Sequence, residues 1–207
     1  MALVVLAGAE KKDAPKVVTE APKVVVDEDQ LERRDGLWYF EGKPFTGVAV
    51  WKHENGKKEK EITIKDGKPD GLWTWWHENG QKKAEANYKD GKPADGLYTL
   101  WHENGQKSME GPYKDGKAHG LVTGWYENGQ KKEEYTWVYG KPHGLATGWH
   151  DNGQKKEETT YKVGKRHGLS TQWHSNGQKR SVRTWKDFEL ISAKEWDKDG
   201  NLTSEYP

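Results

Sequence analysis

The chain has 207 residues, 32% hydrophobic and 32% charged, with a mean hydropathy of -1.16. Thirty-four Lys and Arg against 33 Asp and Glu leave a net charge of +1, which offers no overall field to nucleic acid or anionic lipid. Without cysteine, disulfides and thiolate chemistry are excluded.

So little apolar material is low for a thick core of this size, yet 12 Trp and 9 Tyr argue against a disordered chain. A thin structure, in which each unit buries a little against its neighbours, meets both conditions.

Residues 1–34 read as a signal-like remnant followed by an extended linker. Leu3-Val4-Val5-Leu6 and then Ala7-Gly8-Ala9 resemble a short apolar run and a small-residue cleavage site, without the positive segment that normally precedes them. Export, to the periplasm or outside the cell, is the expectation, with a cytoplasmic protein as the alternative. No stretch approaches the ~20 apolar residues of a membrane span. APKVV occurs at 14–18 and again at 21–25, and its Pro and charged surroundings read as a tether. Val24-Val25-Val26 is either part of that loose tail or a short strand that adds to a sheet edge, its own or a neighbour's.

Residues 35–207 form one tandem repeat domain. Turn glycines Gly56, Gly80, Gly105, Gly129, Gly153, Gly177 and Gly200 recur every 23 to 25 residues. A second set, Gly42, Gly67, Gly91, Gly116, Gly140 and Gly164, falls between them at the same period. A chain that reverses about every 12 residues, with no helical pattern, is a meander of β-hairpins. The unit Asp70–Gly91 is typical: Leu72–His77 is one strand, Asn79-Gly80 a turn assigned to type I′, Gln81–Lys89 a second strand, and Asp90-Gly91 a second turn. The fold class is therefore all-β: an elongated, open antiparallel meander of about 13–14 strands built from ~24-residue hairpins.

Alternation gives each position a face. Leu72, Thr74 and Trp76 share one face and recur as Leu97/Thr99/Trp101 and onward to Leu169/Thr171/Trp173. An aromatic stands three residues before most second turns: Tyr39, Tyr88, Tyr113, Trp137 and Tyr161. These rows are expected to stack as ladders that hold the sheet together. The other face of the first strand varies from unit to unit, from Trp73/Trp75/His77 and Tyr98/Leu100/His102 to Ser170/Gln172/His174. A face free to vary is where specificity lives, so Trp73, Trp75, His77, Tyr98 and Leu100 are the candidate binding residues. Leu37–Gly47 is a half unit and reads as an end cap. The alternative for the candidate binding residues is that the N-terminal tail or an end cap covers them.

ENGQKxxExxYKDGKxxG, as in Glu78–Gly96, resembles the MORN repeat variant, the unit of the group often labelled YwqK-family antitoxins. The resemblance runs from about Asp35 to the end. It implies an open antiparallel sheet and an interaction or immunity role, some members resembling partners that neutralise a toxin. Classical MORN scaffolds sometimes associate with membranes. The balanced charge and longer polar second strand of this chain depart from that pattern.

Catalytic and metal chemistry find no support. His53, His77, His102, His150 and His174 share one repeat position and His119, His143 and His167 another. Equivalent positions two strands apart are ~10 Å from each other and cannot share one metal, whose ligands sit about 2 Å from the ion. The recurring Glu61, Glu85, Glu110, Glu134, Glu158 and Glu205 appear in nearly every unit, whereas catalytic carboxylates are placed once. They are expected to pair across the sheet with the recurring Lys82, Lys107, Lys131, Lys155 and Lys179. No phosphate-binding or nucleophile-elbow motif occurs. Stacking of sugars on Trp73 and Trp75 stays open.

The expectation is a non-catalytic protein–protein interaction module without cofactor, metal or nucleic acid, with toxin neutralisation as its specific form. The alternative is a structural, self-associating protein that uses open sheet edges and the Val-rich N-terminal segment.

Overall fold

The computed structural model describes residues 24–207. The signal-like stretch and the first APKVV lie outside the described residues. From Gly47 onward the chain is one long open sheet whose consecutive strands pair antiparallel. Its strands are β5 (Gly47–Lys52), β6 (Lys58–Lys65), β7 (Lys68–Trp76), β8 (Lys82–Lys89), β10 (Gly96–Trp101), β11 (Lys107–Lys114), β13 (Gly120–Trp125) and β14 (Lys131–Val138). It continues as β16 (Gly144–Trp149), β17 (Lys155–Lys162), β18 (Lys165–Trp173), β19 (Lys179–Lys186), β20 (Glu189–Trp196) and β21 (Leu202–Tyr206). Two-residue strands β9 (Lys92–Pro93), β12 (Lys117–Ala118) and β15 (Lys141–Pro142) lead out of the second turns.

The N-terminal end is closed differently. Strand β1 (Val25–Asp27) joins the edge of β5 in parallel, Val25 opposite Val48 and Asp27 opposite Val50. The Val-rich segment thus adds to its own sheet. A separate three-stranded sheet, β2 (Glu32–Arg34), β3 (Leu37–Phe40) and β4 (Lys43–Pro44), is joined to the β6–β7 turn by hydrogen bonds from the Trp38 N–H to the Gly67 carbonyl and from the Gly67 N–H to the Phe45 carbonyl. Beneath it lies the main apolar cluster, Val26, Phe45, Ala49, Trp51, Ile62 and Ile64, with Leu31, Trp38, Phe40 and Trp73 packed against it.

The two turns have different chemistry, and their types are the reverse of a reading that takes Asn-Gly as type I′. Both residues of the second turn have positive φ, 49° at Asp90 and 81° at Gly91, so the I′ turn is the Asp-Gly one. At the first turn only Gly80 is left-handed, at φ 90°. Its N–H donates to the His77 carbonyl at 2.8 Å, and the Asn79 side chain accepts from the Gln81 N–H at 2.9 Å. This is a three-residue loop closed by a bulge, with Trp75 opposite Ala84 but Trp76 opposite Lys82.

That bulge decides the charge pairing. In a regular strand residues three apart face opposite sides. The extra residue brings Lys82 and Glu85 to one side, where they form an ion pair within their own strand rather than across the sheet. The same pair recurs as Lys107–Glu110, Lys131–Glu134 and Lys155–Glu158. The cross-sheet contact of the lysine is instead aromatic: the Lys82 ammonium lies 5.6 Å from the Trp101 ring centre of the next unit.

Four second turns place a residue other than Gly, Asp or Asn at positive φ: Glu41 at 49°, Tyr139 at 47°, Val163 at 51° and Phe188 at 75°, a conformation that costs an L side chain roughly 1–2 kcal/mol. Val163 is 58% exposed, so it loses little packing on replacement. Val163→Asp, the residue of four sister turns (Asp66, Asp90, Asp115 and Asp187), together with Phe188→Gly is expected to raise stability by about 1–2 kcal/mol. Thermal unfolding monitored by circular dichroism checks it, and an unchanged or lower midpoint contradicts it.

Candidate functional site

The pairing register sorts every side chain of the array onto one of two faces. On the first, Thr and Glu alternate straight across the sheet, Thr74–Glu85–Thr99–Glu110–Thr123–Glu134–Thr147–Glu158–Thr171. Thr74 and Thr99 are buried, and the Lys–Glu pairs and repeat tryptophans lie on this side. The Leu row also lies here but is not interior: Leu72 is 45% and Leu145 57% exposed. The turn-side aromatics are not on this face at all, because each stands directly opposite a glycine of the other pattern. Tyr88 pairs with Gly71, Tyr113 with Gly96, Trp137 with Gly120 and Tyr161 with Gly144. A glycine opposite leaves room for the ring to lie flat over the neighbouring strand.

The second face therefore carries both the variable residues and the aromatic row. Its central row runs Trp75–Ala84–Leu100–Met109–Gly124–Glu133–Gly148–Glu157–Gln172–Ser181. The row grades from aromatic and aliphatic, through bare glycine, to carboxylate and amide. Trp73 and Trp75 stack with ring centres 4.8 Å apart, and Tyr88 tilts against Trp73 at 4.5 Å. Tyr98 meets Tyr113 edge-on at 5.3 Å, and a shallow pocket opens between Tyr88, Pro93, Tyr98 and Tyr113. Burial raises the hydroxyls of Tyr88 and Tyr98 above the ordinary tyrosine range. Trp73 packs against the main apolar cluster, which holds its strand partner Ile62, and its indole N–H has no acceptor among the described residues. Trp75, Tyr98 and Leu100 lie beyond that cluster, half-buried within the sheet.

Four of the five residues expected to bind, Trp73, Trp75, Tyr98 and Leu100, thus meet on one face. His77 goes elsewhere. Its ring Nε2 is 3.0 Å from the Trp101 carbonyl oxygen of the next unit, along the edge of the sheet. His53, His102, His150 and His174 do the same to Trp76, Trp125, Trp173 and Trp196. Where the sequence has Tyr126, its hydroxyl donates to the Trp149 carbonyl at 2.8 Å. The loop asparagines run a parallel line, Asn79 Nδ2 donating to the Glu103 carbonyl at 2.7 Å and Asn104 to that of Glu127. The His and Asn positions are a spine that ties each hairpin to the next, each bond contributing roughly 1 kcal/mol.

Sequence reasoning missed Met109, Glu133 and Tyr135 as neighbours of the variable face, and it left Tyr88 and Trp137 unplaced. Counting hairpin partners outward from the first turn would have found the last two, since Gly71 and Tyr88 are equidistant from it.

No helix among the described residues is long and apolar enough to cross a membrane. No curated protein sequence matches the chain. The family model described as the MORN repeat variant matches six times, at residues 45–66, 69–90, 94–115, 118–139, 142–162 and 166–187. These matches cover more than half of the chain, and their period is that of the hairpins themselves. The chain belongs to the MORN repeat variant family.

Proposed function

We propose that this chain is a non-catalytic protein-binding module that receives its partner on the variable face, at the apolar end of the central row. The observation that carries this reading is the contrast between the faces. One keeps the same Thr–Glu row from unit to unit, as its own cohesion requires, while the other changes at each step. Half-buried aromatics backed by a rigid sheet are the anchors that protein interfaces favour. The specific form of the proposal is an immunity-type protein whose partner is a toxin.

The test starts with the tagged full-length chain, purified from its native cells, and a stoichiometric partner identified by mass spectrometry. The double variant Trp75→Ala, Leu100→Ser should weaken that partner's binding by roughly tenfold or more, as loss of an anchor does. Leu121→Ser, on the opposite face, should leave it unchanged. Equal binding by both variants overturns the assignment. Growth rescue on co-expression of the partner tests the toxin form.

Self-association through the Val-rich segment is the second reading. It draws on the β-pairing capacity of that segment, which here is spent on its own β5 edge. A native mass above the monomer at high concentration would favour it over the first.

A further inference from the structure

The line of loop asparagines carries a chemistry of its own. Each of Asn55, Asn79, Asn104, Asn128, Asn152 and Asn176 is exposed and followed by glycine. An asparagine is chemically least durable in front of glycine, because a residue without Cβ leaves its backbone nitrogen free to reach the asparagine side chain. The fold demands both members of the pair. Gly105 sits at φ 82°, and a Cβ there would lie 2.8 Å from the Gln81 Oε1 of the hairpin before it. Asn104 Nδ2 donates to the Glu127 carbonyl of the hairpin after it. The repeat therefore keeps a reactive pair in every one of these loops.

In the closed array both reacting groups are engaged. The nucleophile is the glycine nitrogen, and its N–H is donated three residues back, from Gly105 to the His102 carbonyl at 2.9 Å and from Gly129 to that of Tyr126 at 2.9 Å. The electrophile is the asparagine Cγ, and its carboxamide is fixed at both ends. The oxygen accepts the N–H two residues on, from Gln106 to Asn104 at 3.0 Å, while the nitrogen donates across to the next hairpin. Turning the carboxamide to face the glycine nitrogen breaks both of these bonds. The second of them belongs to the neighbour. Asn79, Asn128 and Asn152 repeat it with the carbonyls of Glu103, Asp151 and Ser175. For Asn176 the acceptor is Lys198, in the loop before β21, a strand exposed along its whole length.

We propose that these asparagines are deamidation sites kept closed by the docking of the next hairpin, and that Asn176 is the first to react. When a hairpin undocks, the glycine nitrogen attacks the asparagine Cγ and its proton passes to solvent base. The Cγ–Nδ2 bond breaks and ammonia leaves with a proton from solvent. Water then opens the cyclic imide to aspartate or isoaspartate. The product redocks poorly: a carboxylate oxygen stands where the donor was and meets the neighbour's carbonyl oxygen, acceptor against acceptor. The loop at 197–201 shows how carboxylates behave on this line. Asp197 and Asp199 stand there in place of the His and Asn of other loops, and Asp197 accepts from the Asp199 N–H and from Asn201 within its own loop. Opening is easiest where a strand has little to hold it, and β21 pairs with β20 alone among the described residues. Deamidation therefore runs from Asn176 inward and is slowest at Asn55, whose hairpin contributes Ala49, Trp51, Ile62 and Ile64 to the main apolar cluster.

The test incubates the full chain in warm, mildly alkaline buffer, with and without denaturant, and reads amide-to-acid conversion at each asparagine by peptide mapping and mass spectrometry. In denaturant the six sites should react at similar rates. In buffer Asn104 should react about tenfold or more slowly than it does in denaturant, as protection by a closed local unit requires, and Asn176 should lead the six. Asn104→Asp isolates the neighbour's contribution, because it sets a carboxylate against the Glu127 carbonyl and loosens the loop that holds Asn79. Conversion at Asn79 should then rise about twofold or more, while Asn152, with no shared partner, keeps its rate. Asn87→Asp, the same change of charge at an exposed position off the line, should alter neither. Equal rates at all six sites in buffer, no slowing of Asn104 relative to denaturant, or an Asn79 rate unmoved by Asn104→Asp overturns the proposal.

Discussion

Trp51→Ala is expected to cost about 3–5 kcal/mol, the loss usual for a large aromatic removed from a packed interior. Trp51 is 2% exposed and lies at the centre of the main apolar cluster. Trp38 of the cap meets it edge-on at 5.5 Å, and the Lys60 ammonium lies 4.4 Å from its ring centre. Its removal uncouples the cap from the sheet. Since repeat arrays are held by nearest-neighbour contacts, the loss should be local at first. Amide exchange should speed up across Val24–Ile64 while Lys107–Trp173 keep their protection. Leu145→Ala makes the contrast: this leucine is 57% exposed, and the change should stay within roughly 0.5 kcal/mol. If both substitutions shift the unfolding midpoint equally, the core has been placed wrongly.

Gly47→Ala should be nearly as damaging, by overpacking rather than by a cavity. A Cβ on Gly47 would lie 2.4 Å from the Val24 carbonyl oxygen and 2.6 Å from the Phe45 ring. That carbonyl is the one that accepts the Val48 N–H at 2.7 Å and starts the parallel pairing. The methyl group must displace either the backbone of β1 or a buried phenyl ring, at a cost of about 1–3 kcal/mol. The expected result is release of Val25–Asp27 from β5, together with the Lys52–Asp27 ion pair. Hydrogen exchange at Val25 and Val26 reports it directly. Unchanged protection there would mean that β1 is not held as described.

Released β1 has a functional consequence. The freed segment and the uncovered β5 edge are the two surfaces that self-association requires. Gly47→Ala should therefore raise the tendency to oligomerise, measurable by analytical ultracentrifugation against the native chain.

Much of this was legible in the residues. Paired glycines at a fixed period dictate hairpins, because an Asp-Gly pair accepts positive φ at both positions and few other pairs do. The variable face was legible too, since Trp73, Trp75, Tyr98 and Leu100 alternate with the invariant Leu, Thr and Trp. The turn at Asn79-Gly80 was misread because its own short-range signal is shared by two loop types. They differ by one bulged residue, and both give the same register beyond Trp75. That one residue moved Lys82 to the side of Glu85 and turned an expected cross-sheet pair into one within a strand.

By itself, then, the sequence determined the repeat, its period, the antiparallel order of the strands and the split between a constant and a changing face. These depend on local backbone preferences and on alternation, which act between neighbours along the chain. Only the tertiary structure decided that the Leu row is exposed, that the aromatic row lies over glycines on the changing face, and that His77 bonds to the Trp101 carbonyl. It also decided that Val25–Asp27 closes its own edge in parallel and that Trp73 packs against the main apolar cluster. Each of these is a contact between segments brought together by folding, where the free energy comes from what surface remains to be covered and not from any preference of the segment alone.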